Sequence, residues 1–190
     1  DLQNNYTIKN YSFQENNPAS IPINNIKGIL YIDSLMWVGT HGDGIALFNS
    51  KTQKFFHSQN PHSKISFNYK EPLWINHIDK DSKGNIWIST FYGLYKYNTT
   101  SGLQHYYFDQ EDSTSISDNK VYAVYEDAAK QLWIITGNGI NTFDNRTNTF
   151  TNISKKLRLP TTPRGIIQDN AGVLWISYER GIVLYDTKTN

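Results

Sequence analysis

The sequence predicts an all-β fold, a β-propeller built from four-stranded antiparallel blades, and three observations carry that prediction. One hairpin pattern occurs four times, around Trp37, Trp87, Trp133 and Trp175. In each copy a Trp sits among branched aliphatics, then come a small residue, a polar turn, a Gly and a second apolar run. Each copy closes on an aromatic followed by Asn or Asp: Phe48-Asn49, Tyr97-Asn98, Phe143-Asp144 and Tyr185-Asp186. The tryptophans are spaced 50, 46 and 42 residues apart (37 to 87, 87 to 133, 133 to 175), a period that holds four short strands. No segment keeps a 3.6-residue apolar period over three turns, which excludes a helical solenoid. An immunoglobulin-like sandwich would alternate without this strict repetition.

Taken in order, residues 1–5 are polar, and 6–11 (Tyr-Thr-Ile-Lys-Asn-Tyr) alternate as a strand with one covered face. Residues 12–25 hold Pro18 and Pro22 and read as a loop. The first blade spans 26–57, with a tight turn at Asp33-Ser34 and another at 41–44. After a loop containing Pro61 and Pro72, the second blade spans 74–108. Its turn Asp81-Ser82-Lys83-Gly84-Asn85 places an Asp that bonds the backbone ahead and a Gly for the left-handed position. The third blade spans 121–153, and the fourth, 164–187, has three strands and no outer one. The innermost strands crowd around the axis, so small residues are expected there. Gly28, Ala123 and Gly165 meet that need, and His77 stands at the matching place in the second blade, directed at the channel.

Composition narrows the function. A net charge of +1 without a long basic run sets nucleic acid aside. With no Cys the chain has no disulfides or thiol chemistry. No apolar run approaches the roughly twenty residues of a membrane helix, and the start has no signal-peptide pattern, so no membrane contact is expected of this stretch. Its two ends suggest a piece of something longer.

The unit Asp-x-x-Gly-Asn-Ile-Trp-Ile-Ser-Thr, then Gly-Leu-x-x-Tyr-Asn, resembles the two-component regulator propeller repeat. Ser115-Ile116-Ser117-Asp118-Asn119-Lys120-Val121 and Ser20-Ile21-Pro22-Ile23-Asn24-Asn25-Ile26 resemble that family's lead into a blade. The first blade departs by lacking the Asp-x-x-Gly turn, and the fourth by carrying Tyr178 where the others have Thr. The resemblance implies a periplasmic sensor region of a hybrid two-component regulator, of the kind found in gut Bacteroides relatives that degrade polysaccharides. The implied task is to sense an oligosaccharide and signal through a membrane helix to a kinase elsewhere. The family has no fixed catalytic or ligand motif, so no residue role is carried over.

Candidate residues come from the pattern itself. The four repeat tryptophans are packing residues, since they hold one place in every blade. Trp74 is outside the repeat, at a blade entrance, where a ring can stack on a sugar or plug the blade. The turns after the tryptophan strands vary while their flanks repeat, and they share a face with the inter-blade loops. They supply His41, Asp43, Tyr92, Asn138, Glu179 and Arg180 as ligand-binding candidates, with His77 at the channel. No pair of carboxylates is fixed for glycosidase work, no His has zinc-spaced partners, and Asp79–Gly84 departs from a calcium loop at Lys83. No cofactor, metal or catalytic set is therefore expected. A non-enzymatic sensor module that binds a glycan or helps dimerise a receptor leads, ahead of a protein-interaction scaffold and, last, a propeller glycosidase or lyase.

The lone strand at 6–11 and the missing outer strand of the fourth blade suggest that the two pair. Within one chain this closes four blades at about 90° each; between two chains it closes eight at about 45°. Repeats of this family sit in rings of about seven blades, so the expectation is a homodimer that exchanges these strands.

Overall fold

The computed structural model describes residues 8–32, 34–57, 73–154, 156–160 and 162–188. Among the described residues fifteen strands lie in four antiparallel sheets, each following chain order from its inner strand outward. The first blade is β1 (Ile26–Ile32), β2 (Leu35–Thr40), β3 (Ile45–Asn49) and β4 (Lys54–His57). The second is β5 (Ile75–Lys80), β6 (Ile86–Thr90), β7 (Gly93–Asn98) and β8 (Gly102–Tyr106). The third is β9 (Val121–Glu126), β10 (Leu132–Thr136), β11 (Gly139–Asp144) and β12 (Thr149–Asn152). The fourth has β13 (Pro163–Gln168), β14 (Val173–Tyr178) and β15 (Gly181–Asp186). The all-β propeller architecture expected of the repeats is the fold.

Inner strand packs on inner strand in the order β1, β5, β9, β13, and no comparable packing joins β13 back to β1. The blades form an open arc. Gly28 shows why the inner strand needs small residues: a Cβ there would stand 3.1 Å from the Ile78 backbone nitrogen of the next blade. Gly93 and Gly139 open the third strand of their blades at φ of 106° and 112°, where L side chains are strained. A Cβ on Gly93 would also run into the Tyr106 carbonyl.

The tryptophan strands of the first three blades press their rings onto the next blade. Trp37 shares a cluster with Ile75, Ile78, Ile86 and Ile88 of the second blade. Trp87 meets Val121, Val124, Leu132 and Phe143 of the third, and Trp133 meets Leu174 and Ile176 of the fourth. Burying such a ring contributes about 3 kcal/mol. Its indole N–H cannot be left bare in that core. The Asp of the preceding turn accepts it at 2.8 Å in three blades: Trp87 to Asp81, Trp133 to Asp127 and Trp175 to Asp169. The same Asp81 carboxylate accepts the backbone N–H groups of Lys83 and Asn85 and the Asn85 amide. One residue therefore closes the turn and satisfies the ring.

One expectation is corrected within the chain. Residues 8–11 form no strand and do not pair with β15; residues 6 and 7 lie outside the described residues. The Tyr11 ring instead packs on Phe48 and Phe55 of the first blade, 4.8 and 5.7 Å away, because its own chain leads directly into that blade.

Replacing Asp81 with Ala should cost about 3 kcal/mol, because it strands a buried indole N–H and two backbone donors. Asp169→Ala should cost less, since Trp175 and its turn reach water. The indole and backbone N–H groups hold the Asp169 carboxyl below its ordinary 3.8. A depressed carboxylate stabilises the fold above its unfolded pKa, and that part is lost as pH falls through the folded value. Urea titrations of both variants, at neutral and acid pH, check the order and the sign.

Candidate functional site

The turns joining second to third strands and the inter-blade loops meet on one face, tied by backbone hydrogen bonds. His41 N donates to Asn25 O (2.8 Å), Phe91 N to Trp74 O (3.3 Å) and Gly93 N to Asn119 O (2.8 Å). The second-blade loop delivers Trp74 just before β5, where it forms a bridge with His41 rather than joining the strand. Its ring stacks on the His41 ring with centroids 5.1 Å apart. Phe91 and Tyr92, in the β6–β7 turn, close around it at 6.0 and 6.5 Å. Trp74 remains 42% and Tyr92 45% exposed, so the cluster is a shelf in water rather than a plug.

The shelf continues towards the fourth blade. Phe91 meets Tyr122 edge-on at 6.3 Å, and the Arg164 guanidinium lies over the Tyr122 ring at 4.6 Å. Arg164 pairs with Glu179 of the β14–β15 turn. A repeated β-bulge supplies Tyr122 and Arg164 to this line. The inner-strand register skips one residue between Ile26 and Gly28, Ile75 and His77, Val121 and Ala123, and Pro163 and Gly165. A bulge turns the skipped side chain away from the ladder, and the skipped residues are Lys27, Asn76, Tyr122 and Arg164. Asn76 donates across the junction to Val121 O at 2.7 Å.

Of the residues read from the sequence, His41, Trp74, Tyr92 and Glu179 lie on this line. His77 stands beside it, in a channel-side cavity of about 390 Å3 shared with Asp79, Tyr122, Ala123, Arg164 and Gly165. Its Nδ1 is buried without a hydrogen-bond partner, and burial pulls its pKa below 6.5, with Asp79 opposing. Asp43 points the other way, into a cavity of about 380 Å3 with Phe13, Gln14 and His57. Burial raises its carboxyl above the ordinary value and His57 opposes the rise. Asn138 is spent on structure: its amide donates to Ser117 O and its carbonyl accepts from Asn152. Arg180 is exposed in its turn. Phe91, Tyr122 and Arg164 were not among the sequence candidates.

A cavity of about 1010 Å3 opens on the opposite face between the third and fourth blades. Asp127 and Asp169 line it but are committed to their indoles, and Lys156 and Lys188 balance its acidic side. Among the described residues no group of three or more His, Cys, Asp or Glu gathers to hold a metal.

Comparison with known proteins identifies the repeat. Residues 115–138 match the family model described as "Two component regulator propeller". That stretch is similar to one repeat of this family. The extracellular domain of a hybrid two-component system from B. thetaiotaomicron has the same propeller fold, with a TM-score of 0.70. It is 24% identical over 95% of this chain and 23% of its own. A histidine kinase of Formosa agariphila is 30% identical over 119 residues, 62% of this chain and 8% of that protein. A virginiamycin B lyase of Staphylococcus aureus shares the fold alone: TM-score 0.60, 15% identity, 95% of this chain and 60% of that one. The chain thus spans under a quarter of the hybrid-system domain and under a tenth of the kinase.

The buried imidazole gives a pH test. A His whose folded pKa is depressed leaves the unfolded state to take the proton first as pH falls below 6.5, so stability drops across that window. Denaturant titrations from about pH 8 to about pH 5 should show this slope, reduced in His77→Gln.

Proposed function

We propose that this propeller is a non-enzymatic sensor module in the periplasmic region of a hybrid two-component system, and that it binds an oligosaccharide. The observation that carries the reading is the exposed shelf of His41, Trp74, Phe91 and Tyr92. Sugar rings present apolar C–H faces that stack on aromatics, and their hydroxyls need convergent polar groups nearby. Trp74 and Tyr92 offer the rings. Arg164, Glu179 and the Tyr122 hydroxyl continue the line with donors and acceptors. The length of the line, from the first blade to the fourth, suits a chain of several sugars better than one.

The lyase likeness does not extend to chemistry in this reading. At the channel Arg164 and Glu179 pair with each other, so neither charge stands free to stabilise a developing one.

Calorimetric titration against a panel of plant and host oligosaccharides tests the proposal. At least one should bind, unaltered in mass after incubation, and Trp74→Ala should weaken it about tenfold or more, about 1.4 kcal/mol. Tyr92→Ala should weaken it less. No binding across the panel, or binding indifferent to Trp74, overturns the reading, as does turnover lost in His77→Gln.

A further inference from the structure

The loops that lead into the first and third blades share one internal framework. In the first, Gln14 N donates to Ser20 Oγ, Asn17 N to Gln14 O and Phe55 N to Ala19 O. In the third, Asp109 N donates to Ser115 Oγ, Asp112 N to Asp109 O and Phe150 N to Thr114 O. Each loop is thus fixed by itself and by the blade it enters. The blade before the third touches its loop where Gly93 N donates to Asn119 O. The counterpart of Asn119 is Asn24, which lies outside the cavity between the first loop and its blade.

The two loops differ in what lies beneath them. In the third blade hydrogen bonds cross that space. Ser117 N donates to Asn141 Oδ1, Asn141 Nδ2 to Ser117 Oγ, Asn138 Nδ2 to Ser117 O and Asn152 Nδ2 to Asn138 O. In the second blade His105 stands at the place of Asn152. Its ring stacks on Tyr95 at 4.1 Å, and its Nε2 bonds Tyr92 O. The first blade has His57 at that place, Ala46 where Asn141 or Tyr95 stands, and Pro22 where Ser117 stands. Proline has no N–H and alanine no polar side-chain atom, so neither network can form. His57 also loses the ring to stack on. What remains is the cavity of about 380 Å3, within the range of small-ligand sites. His57 lines it at 8% exposure, and its Nδ1 has no hydrogen-bond partner.

The lining selects the charge of an occupant. Asp43 and Glu15 bring carboxylates, Gln14 and Asn16 bring amides, and Phe13 brings a half-exposed ring. Among the described residues no Lys or Arg lines the cavity. Burial raises the Asp43 carboxyl and His57 opposes the rise, so the two groups interact, and a cation between them would favour the carboxylate. A metal ion wants roughly three or four protein ligands, and no group of three or more His, Cys, Asp or Glu gathers among the described residues. An ammonium asks for less: its N–H donors need separate acceptors, and Asp43, the His57 ring and Glu15 are acceptors in one wall. We infer that this cavity binds a protonated primary amine carried on a small hydroxylated body, with the ammonium on Asp43 and His57 Nδ1 and the hydroxyls on the loop amides. The site is separate from the aromatic shelf, because Asp43 and His41 face opposite sides of their turn.

Titration of the 15N-labelled chain with glucosamine tests the inference, followed at the His57 ring nitrogens and by calorimetry. Glucosamine should bind and shift His57 Nδ1, whereas glucose and N-acetylglucosamine, which carry no ammonium, should do neither. Ethanolamine distinguishes the sources of the amine: weaker binding than glucosamine assigns the site to an amino sugar, equal or tighter binding to a short amino alcohol. Asp43→Asn and His57→Leu should each weaken glucosamine about tenfold or more. Glu15→Gln, in the exposed loop, should weaken it about twofold. Trp74→Ala should leave it unchanged, so this site and the shelf stand or fall separately. No shift at His57 with about 20 mM glucosamine, an equal response to glucose, or Zn2+ bound there where no amine binds overturns the inference. The ring shifts of the unaltered chain decide the matter even if Asp43→Asn fails to fold.

Discussion

Everything in this fold depends on a tryptophan that belongs to one blade and is buried by the next. A single four-stranded sheet of this size has two faces to cover and no core of its own. The ring of Trp87 or Trp133 reaches across the gap and makes two neighbours into one cooperative unit. That burial is possible only because the indole N–H carries its own acceptor with it. The turn carboxylate arrives six residues earlier in the same hairpin, so the hydrogen bond forms locally and costs no long-range ordering. Stability then grows along the chain by junctions. Where a junction is missing, at Trp175, the same local bond persists while the burial does not.

The strands were legible because each blade repeats its hydrophobic alternation, its turn chemistry and its tryptophan. The double duty of the turn Asp was present as a constant spacing: 81 to 87, 127 to 133 and 169 to 175. The sequence was read only for the turn, since an indole N–H leaves no mark of its own need. The site was harder. Phe91, Tyr122 and Arg164 come from three blades, and nothing in a linear pattern says that a turn residue and two bulged residues share a rim. The bulge shows in the sequence only as one extra residue before Gly28, His77, Ala123 or Gly165. Asp43 and His41 illustrate the same limit: two residues apart in one turn, they face opposite junctions. The alternation of 6–11 reads as a strand, but what Tyr11 packs on depends on contacts between elements and not on that alternation.

The placement of the rim has a mechanical consequence. Trp74 is held to the first blade by His41 and to the second by the strand it leads into. Tyr122 and Arg164 do the same for the third and fourth. The line therefore crosses the first two junctions beside turns tied by backbone hydrogen bonds, and the third on the Tyr122–Arg164 contact. A ligand laid along it bridges blades rather than filling a pocket within one. Its binding energy falls on the inter-blade angles, the softest coordinates of a structure built from stiff sheets joined by side-chain contacts. On the proposed sensor reading, the signal is a small rotation between blades.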